Sequence, residues 1–255
     1  MRLSHEIGLD PARIEVIILA GGKGTRLRPV VSDRPKVLAE VAGRPFLAWI
    51  IDRLSNAGFR HVVLATGYMA GKVESVMGKG YRETRLSYSR EEEPLDTGGA
   101  VRLAAGRTSS DPVLVLNGDS FVDADHAAFL AWFARSSRPA GMLLTRMWDA
   151  SRYGLVHLAS DGTVQSFQEK REDSGPGLVS AGAYFLRRAV LDAIPPARPC
   201  SLEREVFPRL VAEGALSGFP VEGILLDIGT PESLDEARRY FTARPFPGGD
   251  GSGTA

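Results

Sequence analysis

Cysteine, net charge and long apolar runs are all scarce in this chain, and each shortage removes a class of protein. A single cysteine, Cys200, excludes an internal disulfide; it lies in the Pro-rich stretch 195–200, far from any Cys/His ligand pattern, and reads as a structural residue. The 31 basic and 31 acidic residues cancel, so no field favours nucleic acid or an anionic membrane, and any anion recognition must be local to a site. No apolar run reaches the length of a membrane span. The first residues carry Glu6 and Asp10 and have no long apolar core, so no signal peptide is read there and a cytoplasmic location is expected. No internal repeat is found. What remains is 44% hydrophobic over 255 residues, enough for one sizeable α/β core.

The most informative stretch joins a buried strand to a glycine-rich loop. Val16-Ile17-Ile18-Leu19-Ala20 is apolar without alternation, as expected of a parallel strand covered on both faces. Gly21, Gly22 and Gly24 then allow close backbone approach to a ligand, with N–H groups free to face an anion. Arg26, Arg28 and Lys36 add the positive charge that a triphosphate or pyrophosphate requires. Two better-known loops fail on spacing. A Walker A loop needs glycine where Ile17 stands, and a dinucleotide fingerprint needs a near-absent side chain where Leu27 stands. Lys23 reads as solvent-facing.

Along the chain, helices and strands alternate as in a doubly wound, mostly parallel sheet. Helices are predicted over 46–57, stopped by Gly58, and over 98–106, 126–136, 202–213 and 231–240; strands over 61–66 and 112–116. Thr230 should cap the last helix, with Pro231 at its first position. From Leu143 the pattern turns β-rich, with a hairpin over 156–167 about Asp161-Gly162. Two carboxylates follow apolar runs: Asp119 after Val113-Leu114-Val115-Leu116, and Asp227 after Ile224-Leu225-Leu226. Ligands of open α/β sheets bind at such strand ends. Asn117-Gly118-Asp119 is also good turn chemistry, and the joint pattern of two strand-end carboxylates with a Gly/Arg/Lys loop is what favours a phosphate and metal site. Mg²⁺ suits it, because that ion takes one or two carboxylates plus substrate phosphates.

The order Gly21-Gly22-Lys23-Gly24-Thr25-Arg26-Leu27 with Pro35-Lys36 resembles the signature of the sugar-1-phosphate nucleotidyltransferases. Further landmarks of that family follow in order: 93–100, 116–119, Tyr153-Gly154, Glu169-Lys170, Ala181-Gly182 and 227–231. The resemblance covers residues 14–241. It implies a Rossmann-like nucleotide-diphospho-sugar transferase fold, with a nucleotide-binding half over 14–142 and a small β-rich sugar-phosphate-binding lobe over 143–241. Residues 1–13 become an N-terminal extension and 242–255 a disordered tail. Arg44-Pro45-Phe46-Leu47 and Asn117-Gly118-Asp119-Ser120-Phe121 look most like the D-glycero-α-D-manno-heptose 1-phosphate guanylyltransferases.

The resemblance also implies roles. Arg26 would hold the β- and γ-phosphates, Lys36 would neutralise charge near the α-phosphate, and Asp119 and Asp227 would hold Mg²⁺. Lys170 would grip the sugar phosphate, beside Glu169, with Gly154, Ser180 and Gly182 completing the sugar pocket. The nucleotide would meet Leu19, Ala20, Gly21, Gly22, Gly24, Thr25, Glu93, Thr97, Gly98, Gly99, Asn117 and Gly118. Glu91 would read the base: a carboxylate accepts the N1–H and N2–H₂ donors of guanine together, whereas uracil and thymine flank one N–H with carbonyls. Three positions depart from the family pattern: Asp96 for glycine, Val37 for proline and Ser180 for asparagine. The expected partners are an NTP, GTP first, and a sugar 1-phosphate, without nucleic acid or membrane, and apolar helix faces leave a homodimer open.

Overall fold

The computed structural model describes residues 9–150, 153–168 and 175–244. β1 (Glu15–Leu19) leads through the glycine loop to two short paired strands, β2 (Glu40–Val41) and β3 (Arg44–Pro45), and to α1 (Phe46–Asn56). β4 (His61–Thr66), α2 (Ala70–Met77), β5 (Gly80–Tyr81), β6 (Thr84–Arg90), α3 (Asp96–Ala105) and β7 (Val113–Asn117) follow. Next come β8 (Ser120–Val122), α4 (His126–Ala134), β9 (Ala140–Met147), β10 (Leu155–Leu158), β11 (Val164–Gln168) and β12 (Gly177–Leu186). The chain continues through α5 (Arg188–Asp192), α6 (Phe207–Ala212), β13 (Leu216–Val221), β14 (Leu225–Asp227) and α7 (Pro231–Ala243).

The parallel core runs β7-β1-β4-β6, so β1 has a neighbour on each side and the winding reverses between β1 and β7. This reversal makes the crevice at the strands' carboxyl ends. The unbroken apolar run of β1 has a direct cause: Val16 and Ile18 pack on one face with α1 residues Leu47, Ile50 and Leu54, while Ile17 packs on the other with α3 residues Val101 and Ala104. Both faces are dry, so polar alternation would be penalised. The β-rich half does not make a sheet of its own. β12 runs antiparallel to β7 from Ala183↔Leu116 to Leu186↔Val113, which joins the two halves into one ten-stranded sheet.

Local chemistry explains most element ends. Gly58, at φ +93°, follows α1, and Asp125 Oδ1 caps α4 by accepting from the N–H groups of Ala127 and Ala128 at 2.9 and 3.0 Å. α7 opens with Pro231 and a Thr230–Ser233 capping box. The helix predicted over 202–213 is interrupted. A π turn over Leu202–Val206 precedes α6, because Pro208 has no N–H to continue the ladder. The hairpin about Asp161-Gly162 forms as expected, with Gly162 at φ +79°. No helix among the described residues is long and apolar enough to cross a membrane.

Gly118 shows how tightly the crevice floor is closed. Its N–H donates to the Leu19 carbonyl at 2.9 Å, and an added Cβ would lie 2.5 Å from that oxygen. Gly118→Ala is therefore expected to cost about 3 kcal/mol in urea unfolding, since backbone has to move. A loss below about 1 kcal/mol would show that the two strands separate easily.

Candidate active site

A cleft of about 1010 Å³ opens at the carboxyl ends of β1, β4, β6 and β7. Its floor begins at Leu19 and the glycine loop. That loop is folded over the side chain of Lys36: a Cβ on Gly22 would lie 3.6 Å from Lys36 Cε, and one on Gly24, at φ +59°, 3.1 Å from Lys36 Cβ. Pro35 delivers Lys36 into a 3₁₀ turn, and its ammonium group pairs with Asp119 Oδ2. A cation is thus held under a bare-backbone loop, beside a carboxylate.

The second aspartate comes from 108 residues further along, on its own short ribbon. β14 pairs antiparallel with β8, placing Asp227 opposite Ser120, and the Ile228 N–H donates to the Asp119 carbonyl at 3.0 Å. Asp227 Oδ1 accepts from the Gly229 N–H at 2.8 Å and the Ser233 hydroxyl at 3.1 Å, and Oδ2 accepts from the Tyr153 hydroxyl at 2.7 Å. Gly229 leaves the gap in which the Arg26 guanidinium approaches, for a Cβ there would sit 3.0 Å from Asp227 Oδ1 and 3.4 Å from Arg26 Nη2. A smaller pocket of about 210 Å³, lined by residues 22–26, Lys36 and Gly229, adjoins the main cleft. Arg26 makes no ion pair among the described residues and is free to meet an anion.

At the other end of the cleft lies Glu91, just beyond β6. Its carboxylate fills the room left by the missing side chains of Gly21 and Gly67, and Oε2 accepts from the Leu95 N–H at 3.0 Å. Burial holds this carboxyl above the usual range, the Leu95 N–H works against that rise, and the charge on Asp96 adds to it. Glu93, Thr97 and Asn117 also line the cleft.

Several expected contacts are placed otherwise. Gly98 and Gly99 do not line the cleft. Their N–H groups donate to the Cys200 carbonyl at 2.7 and 3.1 Å, and Cβ atoms there would meet the 198–200 backbone at 2.9–3.0 Å, so these glycines serve packing. Ala20 is buried in the core and Gly118 closes the floor. Thr97 reaches the cleft, but its hydroxyl is tied to Glu203 Oε2 at 2.8 Å and to the Leu202 N–H at 2.9 Å. Lys23, read as solvent-facing, is exposed yet lines both pockets. Arg28 lies over the ring of Tyr68, 5.5 Å from its centre, rather than in the phosphate pocket. Gly67, Tyr68 and Tyr153 were not picked out as site residues; only the landmark Tyr153-Gly154 pointed toward one of them.

On the sugar side, β12 is bulged between Ser180 and Tyr184 where it leaves its register with β9. Gly182, at φ +72°, presses against Asn117, and the Ser180 hydroxyl lies 3.0 Å from that of Tyr184 and accepts from the Gly182 N–H at 3.2 Å. Gly154 follows Tyr153 directly. Glu169 and Lys170 lie outside the described residues.

Asp96 accounts for its own departure from glycine. It has φ +59°, a left-handed conformation that glycine adopts freely and aspartate tolerates, and its Oδ1 accepts from the Thr97 N–H at 2.8 Å while Oδ2 pairs with Arg204. Asp96→Ala is therefore expected to be about 1 kcal/mol less stable than Asp96→Gly in thermal unfolding. Equal stabilities would mean that the side-chain bonds, not the backbone, decide this position.

Among the described residues no group of three or more His, Cys, Asp or Glu gathers to hold a metal. Two aspartates beside a cationic loop fit an ion that draws its remaining ligands from substrate phosphates. The arrangement can bind a polyphosphate at one end and a hydrogen-bond-donating base edge at the other.

Known proteins resemble this chain over most of its length. The nucleotidyl transferase family model matches residues 15–244. The mannose-1-phosphate guanylyltransferase of Mycobacterium tuberculosis (strain ATCC 25618 / H37Rv) is 37% identical over 225 residues, covering 87% of this chain and 63% of that protein. The mannose-1-phosphate guanylyltransferase catalytic subunit beta of Xenopus tropicalis is 35% identical over 226 residues, covering 87% and 62%. The chain thus spans less than two thirds of the length of these relatives. HddC from Yersinia pseudotuberculosis, in a crystal structure complexed with GMP-PN, superposes with a TM-score of 0.80 at 29% identity, covering 89% of this chain and 99% of that one.

Proposed function

The chain belongs to the nucleotidyl transferase family, and from that premise we propose that it transfers a guanylyl group from GTP to a sugar 1-phosphate. An oxygen of the sugar phosphate attacks the α-phosphorus, the bond from that phosphorus to the β-phosphate bridging oxygen breaks, and pyrophosphate leaves. The observation that carries this reading is the β8–β14 ribbon, whose pairing of Asp227 with Ser120 and bond from the Ile228 N–H to the Asp119 carbonyl bring the two aspartates to neighbouring backbone positions, with Asp119 paired to Lys36 under the glycine loop.

Both substrates are anions, so the protein must supply positive charge and alignment. Arg26, which makes no ion pair among the described residues and lines the smaller pocket, takes the β- and γ-phosphates with its planar fork. Lys36 offsets charge at the α-phosphate. Asp119 and Asp227 would hold Mg²⁺, which when bound neutralises phosphate charge and fixes the in-line geometry. Tyr153 and the first turn of α7 orient Asp227 for that role. Lys170, with Glu169, is assigned to the sugar phosphate by its motif.

Glu91 supports guanine: its half-buried carboxylate accepts a paired N–H edge and repels a carbonyl-flanked one. The names of the related mannose-1-phosphate guanylyltransferases point to the same base. For the acceptor, the motifs 44–47 and 117–121 favour D-glycero-α-D-manno-heptose 1-phosphate, and the 37% relative's name favours mannose 1-phosphate. Both carry a manno ring, and a manno-configured 1-phosphate is the acceptor proposed. The test is Mg²⁺-dependent pyrophosphate release over GTP, ATP, CTP, UTP and dTTP against heptose, mannose, glucose and N-acetylhexosamine 1-phosphates. Release with GTP and a manno sugar supports the reading; release with a pyrimidine triphosphate overturns the role of Glu91.

A further inference from the structure

Hydrogen bonds from a base edge to the Glu91 carboxylate would lie in the plane of the base and leave its faces unsupported, and an apolar or aromatic face beside Glu91 would supply what is missing. Tyr68 is the aromatic residue in that place. It lines the cleft immediately after Gly67, whose missing side chain makes room for the Glu91 carboxylate. Its own N–H donates to the Gly21 carbonyl at 3.1 Å, which ties it to the first glycine of the loop. The Tyr68 hydroxyl has no hydrogen-bond partner among the described residues, so no polar contact fixes the ring. One face is covered by the Arg28 guanidinium, centred 5.5 Å away.

We propose that Tyr68 is the stacking platform for the guanine base, sandwiched between Arg28 and the nucleotide, and therefore a specificity-determining residue of the transfer. The inference rests on the guanylyl reading. It gives Arg28 a place at the base end: the loop that cradles phosphates through Gly22 and Lys36 also braces the base through Arg28. Stacking contributes to nucleotide affinity for any purine, whereas Glu91 distinguishes guanine by its amino group.

The experiment compares GTP and ITP, which lacks the 2-amino group, with wild type, Tyr68→Leu, Tyr68→Phe and Tyr68→Trp. Tyr68→Leu keeps an apolar filler without a π face and is expected to raise KM by about tenfold or more for both nucleotides, with kcat within about twofold. Tyr68→Phe should stay within about twofold of wild type for both. Tyr68→Trp should show fluorescence quenching on adding GTP beyond that of the wild-type protein, a readout that needs no turnover. An unchanged KM in Tyr68→Leu, an equal loss in Tyr68→Phe, or no added quenching in Tyr68→Trp would each overturn the proposal. A wild-type enzyme that turns over only pyrimidine triphosphates would instead sink the guanylyl reading itself, independently of these variants.

Discussion

Asp119→Asn is expected to lower the rate of guanylyl transfer by about 10²- to 10³-fold, with a thermal unfolding midpoint close to wild type. The change conserves volume. The Asp119 side chain is about a quarter exposed, and the ribbon joining it to Asp227 is held by backbone bonds such as that from the Ile228 N–H, so the fold does not depend on its charge. What is lost is the carboxylate proposed to hold Mg²⁺ and the partner of the Lys36 ammonium. Asp227→Asn should behave similarly: its amide oxygen can keep the Gly229 and Ser233 bonds, and its NH₂ can donate to the Tyr153 hydroxyl. Pyrophosphate release at saturating GTP with rising Mg²⁺, beside a melting curve, separates the effects. Wild-type turnover in either variant would remove that aspartate from the metal site.

The second large effect belongs to Glu91→Gln, which should cut kcat/KM for GTP by about 10²-fold. A glutamine amide offers one acceptor and turns a donor toward the guanine N–H groups, so the loss includes a repulsion as well as a missing bond. Acidity gives an independent check. Burial holds the Glu91 carboxyl above the usual range, so it takes up its proton at a higher pH than an exposed glutamate would. In the proposed role it is the ionised form that binds guanine. KM for GTP should therefore be lowest above that raised pKa and climb as pH falls through it, and the glutamine variant should lack this climb. An unchanged preference for GTP over UTP in the variant would leave Glu91 with only a structural part.

The sheet core was legible because burial on both faces writes itself as unbroken apolar runs at β1, β4 and β7, and the caps at Gly58 and Thr230 have their own local chemistry. The aspartate pair was legible only as two separate strand ends. Their meeting depends on β8 and β14, three residues each, too short to carry a period. Glycine was the hardest letter to assign. A bare Cα lies over the Lys36 side chain at Gly22, leaves clearance for Glu91 at Gly21, and packs against the 198–200 backbone at Gly98 and Gly99, and the letter is the same in each. Asp96 stood out in the sequence only as a departure from the family's glycine, and its backbone supplies the reason, a left-handed conformation. Tyr68 carried no signal in isolation, because its part comes from neighbours on β1, β6 and the glycine loop.

The last helix bears on how this protein should be handled. Asp227 is bonded to the first turn of α7, and α7 is keyed into the core by Leu234, Ala237 and Phe241, the last stacked on Trp49 at 4.3 Å. Thirteen residues of helix make a rod about 20 Å long with the Asp227 carboxylate bonded to its first turn and Ala243 at its other end. A tag, surface tether or fusion partner joined just after Ala243 would load that rod directly. One joined ahead of Leu9 would pull on a 3₁₀ turn that rests against Gly58, near the amino ends of the parallel strands and away from the cleft. Immobilisation through the amino end is the geometry that leaves the spacing of the two aspartates untouched.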